Sequence, residues 1–172
     1  VKAFSEYART PSMQLALVDL NGIIGEVLDL YRGGDNRLHL KASLDPAMPR
    51  VEADSGRLRQ LLHNLIKNAL EAGDDAAPVQ LEGTTRCMEE NACRFVELRV
   101  RDDGPGIPPQ ILAQLFEPYV TTKPRGTGLG LAIVKKIVEE HGGMLWASNP
   151  PEGGAAITIR LPVHPEKTMS EN

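Results

Sequence analysis

Asn64 and Asn68, in the run HNLIKNALEA, stand four residues apart, so on a helix they project from one face a single turn apart. Amide oxygens are hard ligands that add no negative charge. That suits a magnesium ion held jointly by a few protein groups, several waters and the phosphates of a nucleotide. By itself the same pair is more often a solvated helix face. In DDGPGIP, Asp102 ends a strand-like run, while Gly104 and Gly106 permit a sharp turn and close backbone approach. An ionised Asp only accepts hydrogen bonds, so Asp102 could read the 6-amino group of adenine and would meet the keto oxygen of guanine acceptor to acceptor. The plainer reading is an Asp-Gly turn. In GTGLGLAIVKKIVEEHGG, Gly126, Gly128 and Gly130 open an amphipathic helix whose first amides can meet anions; otherwise they form a hinge. The spacing matches neither a Rossmann fingerprint nor a P-loop. Lys123 and Arg125, just before it, could neutralise phosphate charge or stay solvated.

These runs need a scaffold. Val1, Phe4 and Ala8 share a helical face that Pro11 stops. After a short linker Asp19 can cap a helix to about Tyr31, closed by GGDN. Leu38, Leu40 and Ala42 alternate with polar residues as a half-buried strand, and a short extended piece follows at Val51. From Ser55 to Ala72 an apolar stripe predicts a long helix closed by Gly73. Val79 to Cys87 and Phe95 to Asp102 predict an antiparallel pair around a polar loop, MEENA. A short helix from Pro109 to Phe116, a polar loop, a helix from Thr127 to His141 and strands at Met144–Ser148 and Ala156–Leu161 complete the order. Hairpins mixed with helices predict an α+β, two-layer sandwich rather than a doubly wound parallel sheet.

The 172 residues are 41% hydrophobic and 24% charged, the make-up of one globular domain with a sizeable core. A net charge of -4 gives no basic excess for nucleic acid or anionic lipid. No run approaches the ~18 apolar residues of a membrane span, and the start lacks signal-peptide architecture. Cys87 and Cys93 match no zinc spacing or disulfide framework, although they could face each other across the hairpin. A reducing, cytoplasmic setting is the expectation.

Taken in order, the runs resemble the catalytic domain of histidine kinases, within the superfamily that includes gyrase, Hsp90 and mismatch-repair ATPases. HNLIKNALEA is similar to the N box, DDGPGIP to the first glycine box, LFEPYVTTK to the F box and GTGLGLAIV to the second glycine box. The resemblance covers about Asp19 to Pro162. It implies a Bergerat-type sandwich, a mixed, mostly antiparallel sheet of about five strands covered by about three helices, with a lid between Pro109 and Thr127. It implies ATP and magnesium as cofactors, with Asn68 as metal ligand, Asn64 beside the metal and phosphates, and Asp102 reading adenine. Gly104, Gly106 and Ile107 would shape the pocket, and Phe116 would anchor the lid. Thr122, Lys123, Gly126, Thr127, Gly128, Leu129 and Gly130 would line the phosphates, with Lys123 at the γ-phosphate. Hydrolytic relatives usually carry Glu where this chain has Asn64, and an amide cannot serve as that base. Phosphoryl transfer needs positioning and charge neutralisation more than a strong base. Alternatives are an ATP-hydrolysing module of this superfamily, a nucleotide-binding pseudokinase, or a serine kinase of the anti-sigma type. Glu71 stands where many histidine kinases have Lys or Arg, while NALEA, FEPYVTTK and FSEYARTPS resemble nitrogen-regulation sensor kinases.

The family's acceptor histidine sits in an HExxxP-like box on a dimerisation helix, and His39, His63, His141 and His164 all lack such surroundings. His63 would point about 100 degrees from Asn64 on the helix, as a packed or solvated residue. His141 near a helix C-terminus suits a protonated imidazole. The expected organisation is residues 1–12 as the remnant of a dimerisation helix, 13–164 as the ATP-binding domain and 165–172 as a polar tail. The missing start Met suggests excision from a longer polypeptide, whose parent could be anchored in the inner membrane. Expected partners are the protein's own dimerisation domain and, through the full-length protein, a response regulator. The piece itself is expected to be monomeric or weakly associated, with no nucleic-acid or membrane contact.

Overall fold

The structure, a computed structural model, describes residues 12–34, 37–73, 77–120 and 129–164. Among these lie strands β1 (Ala16–Val18), β2 (Leu38–Ser43), β3 (Val51–Ala53), β4 (Val79–Glu90), β5 (Cys93–Asp102), β6 (Met144–Ser148) and β7 (Ala156–Val163). The helices are α1 (Leu20–Arg32), α2 (Ser55–Ala72), α3 (Pro109–Leu112) and α4 (Gly130–Glu140). Five strands form one sheet in the order β2-β4-β5-β7-β6, and β1 pairs with β3 in a separate ribbon. Within the large sheet β2 and β4 are parallel and all other neighbours antiparallel. A parallel pair cannot be joined by a tight hairpin. Its crossover carries α2, which lays the Asn-bearing helix across the sheet.

Helical spacing of apolar residues makes each long helix one-sided. Leu20, Ile23, Ile24 and Val27 of α1, Leu58, Leu61, Leu62, Leu65, Ile66 and Ala69 of α2, and Leu131, Val134, Ile137 and Val138 of α4 are buried in one cluster. That cluster includes Val96 and Leu98 of β5 and Ile157, Ile159 and Leu161 of β7. Alternation sends Glu97, Arg99 and Arg101 to the opposite face of β5. The expected two-layer α+β sandwich is therefore present, with a five-stranded mixed sheet and three long helices on one face.

On that opposite face Glu97 is only 5% exposed. Arg86 and Arg160 each donate to it from Nε at 2.9 Å, from the two neighbouring strands. A buried carboxylate without partners would be costly. Burial raises the Glu97 pKa, but the hydrogen bonds and charges of Arg86 and Arg160 outweigh it and hold it below the usual value.

Several expectations are corrected. MEENA is not a loop: β4 continues through Glu90, and only Asn91 and Ala92 turn, at φ 52° and 63°. Positive φ at both central residues is what a two-residue hairpin needs to match strand twist. Cys87 lies opposite Val96 and Cys93 opposite Glu90, so the cysteines do not face each other, and both are free. The helix expected to reach Phe116 ends at Leu112. The linker before α1 contains β1, whose three residues are too few for alternation to signal a strand. Gly73 closes α2 in an extended conformation, not a left-handed one. A Cβ there would collide with Val79 Cγ2. Residues 1–11 and 165–172 lie outside the described residues.

Ala at a left-handed position costs about 1 kcal/mol relative to Gly. Ala92→Gly is therefore expected to raise Tm by roughly 2–4 °C in thermal denaturation. Because the folded state lowers the Glu97 pKa, its stabilisation is full above the ordinary carboxylate value and is lost as pH falls below about 4. Urea midpoints measured from pH 7 to 3 should fall across that range. The acid loss should be shallower in Glu97→Gln, whose midpoint at pH 7 should already be lower.

Candidate functional site

The site is organised by two antiparallel helices. Asp54 caps α2, its Oδ1 accepting the Arg57 N–H at 3.1 Å, and its Oδ2 accepts the Gln14 N–H at 2.9 Å. The Asp54 backbone N–H donates to His141 Nε2 at 3.0 Å, just past the C-terminus of α4. Arg57 also forms an ion pair with Glu140. The start of α2 is thereby fastened to the end of α4. Burial raises the Asp54 pKa, but the backbone donors Gln14, Arg57 and Gly56, with the Arg57 charge, lower it overall.

His141 corrects the expectation of a protonated imidazole. Nδ1 lies 2.6 Å from the Ile137 carbonyl and Nε2 faces a backbone N–H, so Nδ1 carries the proton and Nε2 must keep its lone pair. After it, Gly142 at φ +71° and Gly143 donate to Glu139 and Val138 and close α4 in a Schellman arrangement. His63 bonds through Nδ1 to the Tyr31 hydroxyl at 2.9 Å.

With Arg57 level with Glu140, Gly130 lies ten residues back along α4, a rise of about 15 Å. The same rise along α2 from Arg57 reaches Lys67 and Asn68. The glycine-opened start of α4 thus sits at the level of the Asn pair. Its N-cap, Leu129, offers no side-chain acceptor to the first helical amides. Asn64 Nδ2 is buried with no partner among the described residues. Leaving such a group unsatisfied costs about 1–3 kcal/mol, so an unexplained case calls for a ligand or water. Two amides with a neighbouring helix start fit a magnesium-bound polyphosphate in donor type.

At the C-terminal end of α2 a cavity of about 400 Å³ is lined by Ala69, Ala72, Gly73, Ala77, Pro78, Val79, Asp102, Asp103, Gly104 and Pro105. This is within the ordinary size of small-molecule sites. Asp102 Oδ1 accepts the N–H of Gly104 at 2.9 Å and of Ala155 at 3.3 Å. Of the expected site residues, Asp102 and Gly104 line the cavity, while Asn64 and Asn68 lie on α2 beyond its rim. Gly106 and Ile107 form the far side of the bend, and Phe116 packs against the core beside Leu115. Thr122, Lys123, Gly126, Thr127 and Gly128 lie outside the described residues, as does Arg125. Glu71 is exposed.

Sequence reasoning missed Asn149, whose side chain bonds both the N–H and the C=O of Ile107, each at 2.7 Å. It also missed Asp103, whose Oδ1 accepts the Gln80 N–H at 3.1 Å. The run NPPEGG announces a turn, but nothing in it says which loop it touches.

The family described as histidine kinase-, DNA gyrase B-, and HSP90-like ATPase matches residues 53–165. The chain belongs to this family. It is 38% identical over 172 residues to nitrogen regulation protein NtrY of Azorhizobium caulinodans, covering 99% of this chain and 22% of that protein. It is 34% identical to sensor histidine kinase ZraS of Escherichia coli strain K12, covering 95% of this chain and 34% of that one. The chain thus spans about a fifth to a third of these curated relatives. Among solved structures, the catalytic domain of histidine kinase ThkA superposes with a TM-score of 0.76 at 34% identity, covering 89% of this chain and 100% of that one. ThkA in complex with response regulator protein TrrA gives 0.78 at 32%, covering 96% and 47%. As a member of this ATPase family the chain is an ATP-binding catalytic domain of the sensor-kinase kind. Among its described residues no helix is long and apolar enough to cross a membrane.

Removing an N-cap costs about 1–2 kcal/mol. Asp54→Ala is therefore expected to lower Tm by roughly 2–8 °C. Asp54→Asn, which keeps the capping oxygen, should lose less in the same thermal scan.

Proposed function

We propose that this domain binds Mg-ATP and transfers the γ-phosphoryl group to a histidine on a separate dimerisation domain. The observation that carries this reading is Asn64. It is half-buried one turn before Asn68, with a buried amide N–H that has no partner among the described residues, and its side chain cannot take a proton from water. That disfavours hydrolysis and leaves positioning as the contribution of α2.

In this reading Asp102 accepts a hydrogen bond from the adenine amino group. Its Oδ1 is already engaged by Gly104 and Ala155, so Oδ2 is the acceptor left for the base. Asn68 and Asn64 would hold magnesium and the phosphate oxygens, and the helix-start amide of Gly130 would meet further phosphate charge. Gly126, Gly128, Thr122, Thr127 and Lys123 complete the phosphate side, Lys123 at the γ-phosphate. Gly106 and Ile107 shape the bend, and Phe116 anchors the lid. The magnesium ion would supply neutralisation of charge on the phosphates. The acceptor imidazole attacks the γ-phosphorus with its lone pair. A P–N bond forms, the bond to the bridging oxygen breaks, ADP leaves with that electron pair, and the imidazole N–H proton passes to solvent.

Within the full-length protein the phosphoryl group would pass on to a response regulator, as the relatives' names support. ATP as substrate and two free thiols support a cytoplasmic setting, with the parent protein free to be anchored in the inner membrane.

The test is phosphotransfer in trans with γ-labelled ATP. Alone, the chain should retain no label; with a supplied dimerisation domain, acid-labile label should appear on that domain. Asp102→Ala and Asn68→Ala should each slow transfer by roughly 10–100-fold, the loss of a hydrogen bond or ligand to a charged group. Both variants matching wild type, or label remaining on the chain alone, would contradict the proposal.

A further inference from the structure

The bend from Asp102 to Ile107 is held at both ends by one segment outside all four motifs, the turn between β6 and β7. At one end the Asp102 N–H donates to the Ala155 carbonyl at 2.9 Å, and the Ala155 N–H donates to Asp102 Oδ1 at 3.3 Å. At the other, Asn149 Oδ1 accepts the Ile107 N–H and Asn149 Nδ2 donates to the Ile107 carbonyl. Its amide thus pairs with both backbone groups of one residue, as a neighbouring strand would, and that pairing fixes which end is oxygen.

Two glycines make this approach possible. Gly106, at φ +86°, has no Cβ, which would lie 2.9 Å from Asn149 Oδ1. Gly154, at φ +74°, lies so close to the Asp102 backbone that a Cβ there would overlap the Asp102 carbonyl oxygen. Both contacts depend on the turn seating directly against the bend.

We propose that Asn149 is a positioning residue for base recognition, stapling Ile107 so that the Asp102–Ile107 bend presents its carboxylate to adenine in one fixed geometry. This rests on the nucleotide reading above. Without the staple the bend would sample other conformations, and the fraction competent to meet the base would fall. The loss falls on ATP, whose amino group bonds the carboxylate, and much less on GTP, which never had that bond.

The experiment titrates ATP and GTP, with magnesium, into the full chain as wild type, Asn149→Ala and Asn149→Asp, with amide hydrogen exchange read at Ile107. Wild type should prefer ATP. Asn149→Ala should bind ATP about tenfold more weakly with GTP nearly unchanged, and the Ile107 amide should exchange faster. Asn149→Asp, which keeps an acceptor for the Ile107 N–H but cannot donate to its carbonyl, should fall between. Unchanged ATP-to-GTP ratios in both variants would overturn the proposal, even if Tm dropped, since the staple would then serve folding alone. A wild type with no preference for ATP would overturn the underlying reading of Asp102 and this inference with it.

Discussion

The junction of Asp54, Arg57, Glu140 and His141 sets the geometry on which everything else depends. It holds the start of α2 against the end of α4, and the two helices run antiparallel from there. Helix rise is fixed, so aligning those ends also fixes where the other ends fall. The Asn pair and the glycine-opened start of α4 are thereby brought level. His141 does this as a neutral imidazole, donating to its own helix and accepting from the next. The Asp54 carboxylate adds a bond to Gln14, so the chain entering the domain is tied to the same point.

The second constraint is the bend after β5. Asp102 is the last residue of a central strand, whose neighbours β4 and β7 leave it little freedom. Gly104 and the β6–β7 turn take up one oxygen of its carboxylate, which holds the other in a fixed direction. The site is thus assembled from three places: a helix face, a strand end and a helix start. The strand end is buttressed by a turn that carries no motif. The outward face of the sheet plays a different part, since Arg86 and Arg160 neutralise Glu97 across adjacent strands and tie β4, β5 and β7 together.

Much of this was legible in the sequence because it is encoded locally. The stripe on α2, the alternation of β5 and the glycine-rich bend each lie within one element, and periodicity alone locates them. Asn64 and Asn68 were visible as a pair for the same reason. Asn149 was not, because its partner lies 42 residues away. Nor was the role of His141, whose partner Asp54 lies 87 residues away; proximity to a helix end favoured a charge that the backbone N–H of Asp54 forbids. The hairpin was misjudged because Glu89, Glu90 and Asn91 read as a polar loop by composition, whereas two positive φ values suffice to turn the chain. β1 exists only through its pairing with β3.

In the proposed reading Asp102 reads the base while α2 and the start of α4 hold the phosphates. A crystal structure of the chain with magnesium and a non-hydrolysable ATP analogue measures this directly. The adenine amino nitrogen should lie about 2.7–3.2 Å from Asp102 Oδ2, in the cavity beside Gly73, with Asn68 at the metal. A base seated away from that carboxylate, or phosphates far from Asn64 and Asn68, would contradict it.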